Sequence, residues 1–64
     1  MTYTELRHEL ARRALSNYED FETDPQSALT DVLTDLMLYA KSQKLDFSHS
    51  ICTAEAHFDD ESGA

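Results

Sequence analysis

A single cysteine, a single proline and a single glycine among 64 residues leave this chain few of the devices by which small proteins are stapled or turned. With Cys52 alone there is no internal disulfide, one of the usual supports of so short a chain. Gly63 stands in the polar tail, so no Gly-rich turn is present to build an oxyanion hole around a nucleophile. No apolar run approaches the roughly 18 residues that span a bilayer, and Met1 is followed by polar residues rather than by a signal peptide's basic and apolar regions. The expectation is a soluble, cytoplasmic chain whose thiol stays reduced. Basic residues are also scarce, with 5 Lys and Arg against 13 Asp and Glu, for a net charge of −8.

That charge is unevenly spread. Residues 1–16 sum to +1, 17–35 to −6, 36–48 to +1 and 49–64 to −4. Two acidic blocks therefore bracket two nearly neutral ones. Such a surface repels phosphates, which excludes direct binding to nucleic acid or to an anionic membrane as the expected role and favours a protein partner with a basic surface.

What the chain does have is one strongly apolar stretch, Asp24 to Ala40 (DPQSALTDVLTDLMLYA). Asp24 suits an N-cap and Pro25 the first helical position, where a missing N–H costs nothing. Ala28, Leu29, Val32, Leu33, Leu36, Tyr39 and Ala40 recur at three- and four-residue intervals, which predicts a helix over 25–42 with one wide apolar face. Thr30, Asp31, Thr34 and Asp35 fill the other side. Met37 then extends the row of Thr30 and Thr34, and Leu38 that of Asp31 and Asp35, so the last turn is apolar nearly all round.

On either side the pattern predicts two further helices. Thr2 and Glu5 form a capping-box pair ahead of a helix over 3–17, whose stripe is Tyr3, Leu6, Leu10 and Ala14. Glu5 and Glu9 repel at i,i+4, whereas Glu9 and Arg13 attract. Asp46 can cap a third helix over 47–58, where Phe47, Ile51, Ala54 and Phe58 make one narrow stripe to lie against the central helix. Residues 59–64, DDESGA, are expected to form a frayed acidic tail. There is no internal repeat and no strand-like alternation. The fold class is thus all-α: a small three-helix bundle in a single domain over 1–58. A chain of this size buries only about 60% of its unfolded surface, so completion by homodimerisation is expected.

Candidate chemistry is sparse. His49, Cys52 and Glu55 follow one another at three-residue steps, but structural zinc sites carry four ligands in paired short spacings, so no metal or cofactor is expected and Cys52 is read as a small, partly buried apolar residue. The candidate partner-binding residues lie in two places. In the connection YEDFET, Phe21 is an aromatic anchor flanked by Glu19, Asp20 and Glu22, a combination suited to a basic partner; the same loop can equally be pinned by Tyr18 and Phe21 with its acids solvated. At the end of the central helix, Met37, Leu38 and Tyr39 are apolar beyond what a flanking helix can cover. They suit a second copy of the chain or, in a monomer, a foreign protein.

Two resemblances extend this reading. The segment DVLTDLMLYAKSQKLDF, about a quarter of the chain, resembles the last acidic helix and following turn of MazG-like nucleoside triphosphate pyrophosphohydrolases, which implies an all-α Mg²⁺-dependent enzyme. That family's E-x-x-E and E-x-x-D motifs are not matched, since Glu19-x-x-Glu22 falls in the connection and Asp31 and Asp35 are four apart. More broadly, ALTDVLTDLMLYA, LDF and the A-x-x-HF ahead of the acidic end resemble small acidic helical proteins of phages, plasmids and other mobile elements. The resemblance implies a non-enzymatic inhibitor or adaptor that binds a host protein. A nucleic-acid mimic occupying a basic groove is the alternative that the charge itself suggests.

Overall fold

A computed structural model describes residues 2–61 as three α-helices in the order α1 (Tyr3–Leu15), α2 (Pro25–Ser42) and α3 (Phe47–Glu61), with no strand among the described residues. Each helix starts where a local side chain supplies an acceptor for otherwise unpaired amides. Thr2 Oγ1 accepts from the Glu5 amide at 3.1 Å, Asp24 Oδ1 from Ser27 at 3.3 Å and Asp46 Oδ1 from His49 at 2.9 Å. Asp24 also accepts from the Ser27 hydroxyl at 2.7 Å, and these two bonds, the hydroxyl's first, hold its carboxyl below the usual range.

The helix ends are less regular. The first helix stops at Leu15, two residues short of the expected 17, because Ser16 Oγ and Asn17 Nδ2 both donate to the Arg13 carbonyl, at 2.8 and 3.3 Å. Side chains thus compete with further amides for the last carbonyl groups. The second helix ends as expected at Ser42, without a glycine: the Lys44 amide donates to Lys41 O at 3.3 Å and the Leu45 amide to Ala40 O at 2.8 Å. This is the Schellman pairing, and it puts Lys44 in the left-handed region at φ 56°.

The third helix runs past its expected end at 58. It continues through Asp59, Asp60 and Glu61, although acidic residues oppose the dipole at a helix C-terminus. The reason is tertiary. Tyr3, Arg7, His57, Asp60 and Glu61 line one hollow, so the basic Arg7 lies close to those acids. The rest of the expected tail, 62–64, lies outside the described residues.

Packing is thin. The first helix lies on α2 and α2 on α3, in a flat body of 34 × 31 × 17 Å. Only Ala28 and Ala40 are buried among the described residues, and Leu15, Tyr18, Phe21, Val32 and Phe47 are half-buried. The radius of gyration of 13.3 Å exceeds the roughly 11 Å of a compact chain this long. The narrow stripe of α3 meets its neighbours only in part. Phe47 packs beside Ala40, whereas Phe58 lies with Tyr3, Thr4 and Arg7 of α1 and stays exposed. Cys52 is exposed rather than partly buried, as is every described residue of α3 after Phe47, because the helix is so little covered by its neighbours.

Candidate functional site

The connection between α1 and α2 is a run of turns that satisfies its own backbone. The Tyr18 amide donates to Leu15 O at 3.0 Å, Phe21 to Tyr18 O at 3.1 Å and Asp24 to Asp20 O at 2.7 Å. This folding brings Tyr18 against the polar side of α2, where its phenol donates to Asp35 Oδ2 at 2.6 Å. That bond, with desolvation and the neighbouring Asp31 charge, raises the phenol above its ordinary pKa of 10.0.

Between the two elements lies an open hollow of about 300 Å³ lined by Tyr18, Glu19, Asp20, Asp31, Thr34 and Asp35. Its hydrogen-bonding character is one-sided. The two hydroxyl donors are already engaged, Tyr18 with Asp35 of the same lining and Thr34 with the Thr30 carbonyl at 2.9 Å. Four carboxylates remain as acceptors. Asp20 is half-buried, and its Oδ1 is shielded from solvent with no donor from the described chain, which is a costly state for a carboxylate oxygen. Helical spacing carries the row of Asp31 and Asp35 on to Leu38, which is 61% exposed.

The sequence-level candidates are therefore divided. Glu19 and Asp20 line the acidic hollow; Phe21 is half-buried beside it, and Glu22 is exposed and lines none of the hollows described. Met37 and Leu38 line a second hollow with Ala40, Lys41, Leu45, Phe47 and Ser48, at the junction of α2 and α3. Tyr39, 60% exposed, turns to the other side of that junction, with Leu36, Ala40, Leu45, Phe47 and Ser50. Tyr18, Asp31 and Asp35 were not among the candidates for partner binding. The signal for them was the i,i+4 spacing of the two aspartates, but the phenol that joins them to the loop comes from 17 residues away.

The other acidic pair behaves differently. Glu9 is bound by Arg12 as well as by the expected Arg13, accepting from Arg12 Nε at 2.9 Å and Arg13 Nε at 3.2 Å. The hydrogen bond from Arg12, then that from Arg13, hold its carboxyl down at about 2 against some opposing desolvation. Among the described residues no three His, Cys, Asp or Glu side chains converge to hold a metal ion, and no helix is long and apolar enough to cross a membrane. Comparison of the chain with models of protein families, with curated proteins and with solved structures finds no match.

Proposed function

We propose that this chain is a small, non-enzymatic protein-interaction module acting in the cytoplasm, which docks a partner bearing a basic surface through the acidic hollow and the Leu38 end of the same helical row. The observation that supports this most is the hollow's acidic lining, four carboxylates with no basic side chain among them. A lysine or arginine side chain supplies the donors and charge the hollow lacks, and Leu38 and Met37 supply the apolar contact at its end. The resemblance to mobile-element proteins makes a host protein the partner we favour. We further propose that the bundle is completed by a second copy of the chain, since a body with two buried alanines lacks a core of its own.

The test is affinity capture from a lysate of the source organism, eluted along a salt gradient and repeated with Asp31→Asn/Asp35→Asn and with Met37→Glu/Leu38→Glu chains that retain helicity. A basic protein whose retention is lost on both double changes supports the reading. Retention that vanishes at modest salt but ignores the Met37/Leu38 change identifies a nucleic-acid mimic instead. Mg²⁺-dependent hydrolysis of a nucleoside triphosphate, abolished by the aspartate changes, would refute the non-enzymatic assignment.

A further inference from the structure

The charges of α2 are confined to one half of its circumference. Advancing about 100° per residue, Asp31, Asp35 and Lys41 share a half with Thr34 and Leu38, whereas Leu29, Val32, Leu33, Leu36 and Tyr39 occupy a half with no charged residue. On that uncharged half Leu29, Leu33 and Leu36 form a continuous row and remain 44%, 41% and 49% exposed. The row runs into a hollow of about 310 Å³ walled by Leu36, Tyr39, Ala40, Leu45, Phe47 and Ser50, again without a charged side chain.

We infer that a second copy of this chain covers the Leu29–Leu33–Leu36 face in an isologous contact, leaving the acidic half of α2 turned outward. This rests on the self-association proposed above and assigns it a face. Two observations favour a copy over a foreign protein here. Each chain carries −8, so two copies approach at least cost through a surface free of charge, and α2 has one such surface. The area also fits. The chain exposes 5483 Å², against about 4,200 Å² for a compact monomer of its mass. The excess of about 1,300 Å² accommodates the roughly 800 Å² that each partner contributes to a standard interface.

The experiment is sedimentation equilibrium of the full chain over a range of concentrations, for wild type, Leu33→Glu and Leu38→Glu. Wild type is expected to sediment at twice the chain mass. Leu33→Glu should weaken the dimer by at least about 30-fold, and Leu38→Glu, which adds the same charge to the outward half, by less than about 3-fold. Because Leu33→Glu can also unfold a chain with so little core, a second measurement uses wild type alone: isotope-filtered nuclear Overhauser contacts in a mixture of labelled and unlabelled chains. Contacts between copies at the Leu29, Leu33 and Leu36 methyls are expected. A dimer whose contacts between copies fall on Leu38 and Met37, or which Leu38→Glu disrupts as strongly as Leu33→Glu, overturns the face while leaving self-association standing. A folded wild-type monomer at every concentration overturns both.

Discussion

Lys44 closes the end of α2 in a conformation that a side chain opposes. Its φ of 56° places Cβ against the following carbonyl, a cost of roughly 1–2 kcal/mol for a residue other than glycine. Glycine relieves that clash but gives the unfolded chain more freedom, which takes back about 0.5–1 kcal/mol. Lys44→Gly and Lys44→Ala both remove the ammonium from the negative end of the helix, so their difference isolates the backbone contribution. The glycine variant should be the more stable of the two by about 0.5–1 kcal/mol. At roughly 4–8 °C per kcal/mol for a domain near this size, thermal unfolding followed by circular dichroism should separate them by several degrees. Chain concentration must be held fixed, because an associating chain melts higher when concentrated. Thr30, within the same helix, supplies the reverse case: there alanine should exceed glycine by about 1 kcal/mol. An alanine variant at position 44 that equals or exceeds the glycine variant would refute the reasoning, and with it the left-handed close that orients Leu45 and the start of α3.

Two titrations follow from the site geometry. The Glu9 carboxyl, held down at about 2 by Arg12 and Arg13, should be followed by NMR. Because its folded pKa is depressed, its contribution to stability is complete above the ordinary carboxylate range and is lost as pH falls from there toward about 2; Arg12→Gln should move the midpoint up. Tyr18 is the opposite case. Its phenol is raised by the bond to Asp35, so the stabilisation is complete below the ordinary value of 10.0 and is lost as pH rises through the folded pKa. In an ultraviolet titration of the three tyrosines, Tyr18→Phe should remove a late component, and Asp35→Asn should bring that component earlier. An alkaline curve unchanged by Asp35→Asn would count against the tie between connection and helix.

The beginnings of the helices were legible in the sequence because a cap is local: Thr2, Asp24 and Asp46 each bind an amide three residues away. The ends were less so. Leu15 ends α1 through the side chains of Ser16 and Asn17, which carry no strong stop signal, and α3 runs to Glu61, which shares a hollow with Tyr3 and Arg7 from the far end of the chain. Apolar periodicity located the wide face of α2 but said nothing of how far it would be covered. A stripe identifies the side that seeks a neighbour, and whether that neighbour belongs to the same chain is a matter of tertiary packing. The acidic hollow was half legible for the same reason. Glu19 and Asp20 stood out as charges around an aromatic, whereas Asp31 and Asp35 read as the solvated back of a helix until Tyr18 joined them to the loop.

If a second copy and a basic partner occupy the two halves of α2 as proposed, they should respond oppositely to salt, which distinguishes them without knowing the foreign partner. Two copies meeting on the uncharged half do so against the mutual repulsion of chains carrying −8 each. At 0.1 M salt that repulsion is already screened beyond about 10 Å, and at 1 M beyond about 3 Å. Self-association should therefore tighten as salt is raised, and the thermal midpoint at fixed chain concentration should rise with it. A basic partner in the acidic hollow draws on the attraction that the same ions screen, so its affinity should fall over the same range. One titration with sodium chloride, read by sedimentation for the dimer and by retention for the partner, should give slopes of opposite sign. If both slopes were negative, charge would be holding the copies together as well. The contact would then have to pair an acidic block of one chain with basic residues of the other, Arg7, Arg12 and Arg13 or Lys41 and Lys44, and the uncharged face of α2 would lose its proposed role as the dimer interface.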